Sequence, residues 1–390
     1  MDEHYDLAIL GGGCAGLSLA MRLADAGPSA PSTLILEKNA NYLNDKTWCF
    51  WDEGNPELKS WVDHSWFNFK IKNGVNSFIK CCKGTPYLMI SAESFYQHAI
   101  AKMASNKQLI TLLKDQEIFE VAKKENQIWT ITTNRGTYTA DKIVDTRPSN
   151  KISDQKSILW QSFIGYEVES ELDLFNAKTF ILMDFDATFK QGLGFIYLLP
   201  FSEKRALIEY TVFSQKAISA ESLKEYIKPG LLNYLKNDDY KTVRIEYGKL
   251  PMGNQKIKRS IDPSYIYAGL FAGAARPSSG YAFQRIQKWA KACSHKLITN
   301  KTLIAPEMDS TILANMDEIF LNVLKSNPKS SITLFFNFFS NCKTIRVIRF
   351  LSDHANSRDY LSIIMSMPKL LFLKELPVYT IKKIVRLFNE

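Results

Sequence analysis

A strand–glycine turn–helix–strand unit over residues 5–37, a mostly extended stretch from about 157 to 248, and a helical period beyond 305 predict an α/β protein. The class expected is a discontinuous Rossmann-type domain, an antiparallel-sheet domain that covers it, and a helical C-terminal region. The expected boundaries are 1–45, 90–150 and 260–300 for the first, 46–89 and 151–259 for the second, and 301–390 for the third.

Residues 5–10 (YDLAIL) form the short apolar run of a strand buried on both faces. Gly11, Gly12 and Gly13 follow, and 15–26 has the period of a helix that Gly27 ends, with 28–32 as a loop. Residues 33–37 (TLILE) supply the second strand, which completes a βαβ unit. Residues 41–88 read as irregular, rich in Trp and Phe, and 92–104 as a helix. Hairpin strands are expected near 117–122 and 127–139, turning at Asn134-Arg135-Gly136, and 142–145 (KIVD) returns to the buried sheet. A helix is expected near 219–236, a strand over 265–272 and a helix over 280–298. Past 305 the helices are expected to break at Pro328, Pro368 and Pro377.

With 390 residues, 46% hydrophobic and 23% charged, the chain can bury a large core and is not disordered throughout. The 24 Phe, 17 Tyr and 7 Trp suit a protein that handles a large apolar molecule. Net charge is +9, and residues 330–390 hold nine Lys or Arg against four Asp or Glu. Basic charge interleaved with apolar residues, without any nucleic-acid motif, points to an anionic membrane surface rather than to nucleic acid. The six cysteines show no zinc spacing and read as reduced thiols. The acidic N-terminus leads straight into a strand and is not a signal peptide; no stretch reaches the roughly 20 apolar residues of a spanning helix.

Gly11-Gly12-Gly13-Cys14-Ala15-Gly16 fits G-x-G-x-x-G between a strand and a helix. Gly11 permits the tight turn, Gly13 lets backbone approach a pyrophosphate, and Gly16 allows helix to pack closely on strand. The free amides and positive dipole of the helix N-terminus suit phosphates. Glu37, 21 residues past Gly16, ends the second strand where a carboxylate can accept from ribose hydroxyls. A second glycine-bearing segment, 272–281, joins a strand to a helix and contains Gly273, Pro277 and Gly280. Together with the N-terminal position of the unit, it favours FAD over NAD. FAD enzymes often carry Gly-Asp where this chain has Gly273-Ala274, so that carboxylate is absent here.

Four segments resemble lycopene beta-cyclases. Residues 45–51 (Asp-Lys-Thr-Trp-Cys-Phe-Trp) are similar to the family's D-R-T-W-C-F-W, the most specific match. Residues 197–211 (YLLPFSEKRALIEYT) look like its acidic hairpin, 272–281 is close to its A-G-x-x-x-P-[ST]-[ST]-G-Y signature, and the glycine loop is the fourth. The resemblance runs to about residue 350. It implies acid-initiated, non-redox closure of β-ionone rings on lycopene, giving gamma- and beta-carotene, with FAD in its reduced form and NAD(P)H as reductant. It also makes Glu209 the essential acid. Where relatives have Glu-Asp or Glu-Glu, this chain has Glu209-Tyr210. The reduced cysteines and the basic, apolar C-terminal region lead to the expectation of a cytoplasmic protein peripheral on the inner face of the cytoplasmic membrane.

Such chemistry needs a carboxylic acid kept protonated near neutral pH inside an apolar, aromatic cavity. Glu209 lies in the apolar frame LIEYTVF and alternates to one face with Leu207 and Thr211. Asp184 and Asp186, two apart, share a face and are further candidate acids. Trp48, Phe50 and Trp51 are candidates to line the polyene channel through cation–π contact. No metal site is expected. The same fold also serves flavin monooxygenases and polyprenyl reductases. The Asp-Gly motif that monooxygenases usually carry is replaced by Asp145-Thr146, and the halogenase Trp-x-Trp-x-Ile-Pro segment is missing. Outside enzymes, a carotenoid-binding protein fits the same pattern.

Overall fold

The computed structural model describes residues 3–123, 126–148, 157–186, 188–236, 240–253 and 260–388, without the side chains at 271, 378 and 380–388. In chain order the first elements are β1 (His4–Leu10), α1 (Cys14–Asp25), β2 (Thr33–Leu36), β3 (Thr47–Trp51), α2 (Pro56–Lys59), β4 (His64–Trp66), β5 (Asn68–Asn73), β6 (Asn76–Cys81) and β7 (Tyr87–Ser91). Next come α3 (Ala92–Ala104), β8 (Ile110–Leu113), β9 (Ile118–Lys123), β10 (Trp129–Thr133), β11 (Thr137–Asp145), β12 (Leu159–Ser170), β13 (Thr179–Asp186), β14 (Gly192–Pro200), β15 (Arg205–Ser214) and α4 (Ala220–Leu235). The chain ends with β16 (Tyr240–Met252), β17 (Tyr265–Tyr267), α5 (Phe283–Asn300), α6 (Thr311–Ser326), α7 (Ser331–Asn341), α8 (Thr344–Leu351), α9 (Ser357–Ser366) and α10 (Lys369–Phe388).

The first sheet runs β8-β2-β1-β11-β10-β9, with β17 beside β11. Strands β8, β2, β1, β11 and β17 are parallel. Their unbroken apolar runs follow from burial on both faces: Leu17, Leu23, Phe95 and Ile286 from α1, α3 and α5 pack on Leu7, Ile9 and Ile35, while Ala8, Leu10 and Leu34 meet Ile131 and Tyr265. This is the expected Rossmann-type domain, discontinuous in sequence.

The second sheet runs β16-β12-β15-β14-β13-β5-β6, antiparallel except where β13 meets β5. One face carries α4, whose Leu223, Ile227, Leu231 and Leu235 pack with Ile164, Ile196, Ile208 and Val212. The other face meets the small sheet β3-β7-β4, through bonds such as Thr47 to Glu246, and at one end meets α6 and α7.

Two expectations are corrected. Residues 41–88 are not irregular: they hold β3 to β6 and the start of β7. In β3 large apolar side chains occupy both faces, which hides the period-2 pattern, whereas β5 does alternate, with Phe69 and Ile71 buried between polar residues. Pro377 does not end a helix but sits inside α10. The carbonyl it leaves without a partner belongs to Leu373, an exposed residue, where water can satisfy it. Among the described residues no helix is long and apolar enough to cross a membrane.

Candidate active site

The glycine loop between β1 and α1 is built so that each glycine serves differently. Gly11 takes φ +101°, and a Cβ there would stand 2.8 Å from Thr146 Oγ1. A Cβ on Gly16 would lie 2.1 Å from the Gly11 carbonyl oxygen, so helix and turn touch as the spacing predicts. A Cβ on Gly13 would meet nothing within 4 Å, because that direction leads out of the fold. Gly13 caps the 12-residue helix α1, whose first amides, those of Cys14, Ala15 and Gly16, precede the first intrahelical bond, from Leu17 N to Gly13 O. These features fit a dinucleotide pyrophosphate.

Glu37 lies just past β2 as expected. Its Oε2 accepts from the Gly12 amide at 2.7 Å and its Oε1 from the Asn39 amide at 2.8 Å. A carboxylate oxygen has room for a second acceptor bond, so ribose hydroxyls can still be bound. Tyr42 donates to Gly12 O at 3.0 Å and stacks on Tyr96.

The second glycine segment bridges the two sheets. Gly273 and Gly280 take φ +83° and +73°. Gly280 lies against the second sheet, where a Cβ would be 2.9 Å from Gln161 Oε1 and 3.3 Å from Leu250 Cδ1. That Gln161 oxygen is buried without a hydrogen-bond partner among the described residues. Pro277 O accepts from Gly253 N at 3.1 Å. The anchor of the segment is Arg276, a residue that sequence reasoning passed over. It is fully buried, stacks 4.1 Å over Phe350, and pairs with Asp317 at 3.1 Å and Asp353 at 3.6 Å.

Glu209 sits at the centre of β15, buried, on the face opposite α4. Its row across the sheet reads Tyr197, Glu209, Gly165, Glu246 on β14, β15, β12 and β16. The next rows hold Phe195, Thr211, Phe163 and Gly248 on one side, and Leu199, Leu207, Glu167 and Arg244 on the other. Gly165 leaves the surface low between the two acids, and the ring of Phe163 lies over Gly248 in the next row. Thr211 Oγ1 lies 2.5 Å from Glu209 Oε1. Burial, with the negative Glu246 second, pushes the Glu209 carboxyl up from 4.5 to about 8, against the Thr211 hydrogen bond.

Glu246 was missed in the sequence. Burial raises its carboxyl on balance, although Arg244 and then the Thr47 hydrogen bond draw it toward ionisation. Its Oε2 receives Arg244 Nη1 at 2.6 Å and Thr47 Oγ1 at 2.9 Å. Arg244 Nε also reaches Glu167 at 2.5 Å, and Glu167 receives Arg205 Nε at 2.7 Å. The available signal was Arg-x-Glu within one strand: two charges spaced to share a face that the fold must bury or solvate. Next to this network Tyr197 donates to Tyr87 at 3.1 Å, and Tyr87 and Tyr281 lie 3.2 Å apart. A line of phenols thus joins the acid row to the second glycine segment.

Other sequence candidates lie elsewhere. Asp184 and Asp186 do share a face, but it is the α4 face, away from Glu209. Asp184 pairs with Lys72 at 2.6 Å and accepts from Tyr234 at 2.5 Å; Asp186 accepts from Tyr210 at 2.8 Å. Hydrogen bonds from Thr188 and Tyr210 hold Asp186 below the usual carboxylate range, despite the larger opposing effect of burial, so it is a poor acid. Position 210 faces this side too, so a second acid there would not have joined Glu209. Trp48 and Phe50 turn from the acid row into the Rossmann-side core, Trp48 5.1 Å from Phe95 and Phe50 5.0 Å from Phe283 between ring centres. Trp51 faces the second sheet but is fully buried, 4.6 Å from Tyr87. Tyr197 and Phe163, which share the acid's face, are better placed to wall a substrate.

A glycine-turn Rossmann domain roofed by an antiparallel sheet is a fold this chain shares with solved enzymes, among them an aklavinone-11 hydroxylase in complex with FAD (76% of this chain and 63% of that one, TM-score 0.56, 13% identity). The chain is similar across 97% of its length to a geranylgeranyl bacteriochlorophyll reductase-like protein from Thermoplasma acidophilum, covering 99% of that chain (TM-score 0.63, 15% identity). It is also similar to p-nitrophenol 4-monooxygenase from Pseudomonas putida over 96% of this chain and 98% of that one (TM-score 0.58, 13% identity). Residues 6–376 match the family model described as lycopene cyclase protein, and the chain belongs to that family. It is 25% identical over 293 residues, 72% of each chain, to a lycopene beta-cyclase from Pantoea ananas.

Proposed function

We propose that this carotenoid-cyclase family member is an FAD-dependent lycopene beta-cyclase in which Glu209 is the acid. The observation that carries the reading is a buried carboxyl, raised to about 8, set between the aromatic Tyr197 and Phe163 and the Glu246–Arg244–Glu167 network, in a row that Tyr87 and Tyr281 connect to the second glycine segment. At neutral pH that carboxyl holds a proton. It delivers the proton to the terminal double bond of a linear polyene, and an internal double bond closes on the resulting cation. Loss of a different proton from the ring restores the alkene, so one proton is gained and one released per ring and no electrons are exchanged with an outside reagent. Phe163 and Tyr197 can offer ring faces to the cation.

The cofactor assignment rests on the glycine loop, Glu37 and the segment from Gly273 to Gly280, which would hold the pyrophosphate, the ribose and the flavin side. When bound, reduced FAD supplies negative charge that stabilises a nearby cation. NAD(P)H is the proposed reductant. The proposed setting is cytoplasmic, peripheral on the inner face of the cytoplasmic membrane, where a carotenoid can be reached without crossing water.

The test is expression in a lycopene-accumulating host with chromatography of the pigments. Gamma- or beta-carotene should appear with the wild type and fall at least about 100-fold with Glu209→Gln, since general-acid catalysis contributes ~10²–10⁴-fold. In deuterated water each ring should gain one deuterium. Product that contains oxygen, or reductant consumed in step with turnover, would make the protein a monooxygenase or reductase instead.

A further inference from the structure

Glu209 and Glu246 occupy the same row of the sheet, with only Gly165 between them. Residues directly opposite on neighbouring strands point to one face, so both carboxyls rise on the same side. The missing side chain is what lets them approach. A Cβ on Gly165 would stand 3.1 Å from Glu246 Cγ and 3.5 Å from Glu246 Oε1, so the Glu246 side chain leans into the space over the glycine. The two acids are not equivalent. Among the described residues the side-chain hydrogen bond of Glu209 is the one from the Thr211 hydroxyl. Glu246 is clamped by a guanidinium and a hydroxyl, and Arg244 is itself held by Glu167.

We propose that Glu246 is a positioning residue for ring closure: a fixed carboxylate, locked by Arg244 and Thr47 and leaning over Gly165, that keeps the proton on Glu209 until a polyene end takes it. This rests on Glu209 being the acid. Two carboxyls that share one buried row, each disfavouring the other's charge, cannot both ionise cheaply, so the member with the cation carries the charge and the other keeps the proton. Among the described residues few charged and titratable groups face Glu209. Glu246 and Arg244 come from β16, Glu167 from β12 with Arg205 beyond it on β15, Tyr197 from β14, and Cys49 from β3. Arg244 and Arg205 are both engaged by carboxylates, and of those carboxylates Glu246 is the one that shares Glu209's row across the glycine.

The experiment compares wild type, Glu246→Gln and Glu246→Asp. In the purified proteins the protonated-carboxyl infrared band is followed against pH, with Glu209→Gln to identify its Glu209 component. The wild-type component should vanish as pH rises with a midpoint near 8, that of Glu246→Gln at least about one unit lower, and Glu246→Asp should return toward wild type. The alkaline limb of cyclisation should move with it: Glu246→Gln should lose about fivefold or more relative to wild type at pH 8 and regain most of that at pH 6. A midpoint and limb that stay put, whether activity is kept or falls equally at every pH, would overturn the proposal. Failure of Glu209 as the acid would look different: cyclisation would survive Glu209→Gln, while the infrared titration would still report on the pair.

Discussion

The main-chain amide of Gly12 donates to Glu37 Oε2 at 2.7 Å, tying the glycine loop to the end of the second strand. The loop is therefore braced before any ligand arrives, and its glycines should separate binding from folding. Gly13→Val points a side chain into open space and should fold with a Tm near wild type, yet purify without flavin. Gly16→Val drives Cβ to 2.1 Å from a backbone oxygen and should lower Tm sharply. Flavin absorbance after denaturation and a thermal melt of each variant check both. Stoichiometric flavin in Gly13→Val would remove the pyrophosphate assignment.

The glycine loop, Glu37 and Glu209 were legible because each sits within a local pattern: a turn between strand and helix, a strand end, an acid in an apolar strand. What joins the acid to its surroundings was not. Glu209, Gly165 and Glu246 are brought together only by strand pairing across residues 165–246, and register is a property of the sheet rather than of any one strand. Facing was lost for the same reason. Asp184 and Asp186 do alternate together, but which face they take depends on where α4 lies. The Trp-Cys-Phe-Trp strand reads as aromatic throughout, yet Trp48 and Phe50 turn one way and Cys49 and Trp51 the other.

Asp184 gives a test of that facing. It anchors Lys72 and Tyr234 on the α4 side, so Asp184→Asn should leave the yield of cyclised pigment within about twofold of wild type. It should lower stability by about 1–3 kcal/mol, the usual consequence of disturbing a part-buried charged hydrogen bond. Pigment analysis together with a urea melt separates the two effects. Loss of cyclisation with an unchanged melt would return Asp184 to the list of acids.

Arg276 should matter more to the fold than any surface charge. Its guanidinium is fully buried between Asp317, Asp353 and the ring of Phe350. Arg276→Met leaves Asp317 buried without its cation, and breaking such a pair costs about 3–5 kcal/mol. The segment from Gly273 to Gly280 would lose its anchor as well, so weakened flavin retention should accompany the lower Tm. Flavin content measured well below the new Tm distinguishes local loosening from global unfolding.

Glu209 also makes a prediction about stability alone. Its folded carboxyl is raised to about 8 from an ordinary 4.5, so the folded protein keeps a proton that the unfolded chain releases. Stability from this group is full below 4.5, falls as pH climbs toward 8, and levels off above it. Glu209→Gln does not titrate. Its Tm should exceed that of wild type by several degrees at pH 8–9, and the gap should narrow toward pH 5. Parallel melting curves across pH measure this with no substrate present, and a gap independent of pH would show that the carboxyl is not raised.

The last prediction concerns where the protein resides. Helix α10 packs on α6 through Tyr379, whose hydroxyl donates to Asn315 at 2.8 Å, while Leu370, Leu373 and Leu376 stay exposed, Leu370 at 74%. Leu361, Ile364 and Met365 on α9 are exposed as well, at positions one turn apart. Lys369 and Lys374 flank this apolar surface; the side chains of Lys382, Lys383 and Arg386, expected to extend it, lie outside the described residues. Helices docked by one side and apolar on the other suit an interface where leucines enter the acyl boundary and lysines meet anionic headgroups. Each leucine fully withdrawn from water is worth about 1.5–3 kcal/mol, and each basic residue near an anionic surface about 1 kcal/mol. The purified protein should therefore float with vesicles that contain anionic lipid and do so less at high salt. Leu370→Ser/Leu373→Ser should cut flotation about tenfold or more without lowering Tm, because neither side chain packs on the body. Flotation that is absent, or indifferent to both lipid charge and the two serines, would remove the membrane from the account and leave these leucines to contact another protein.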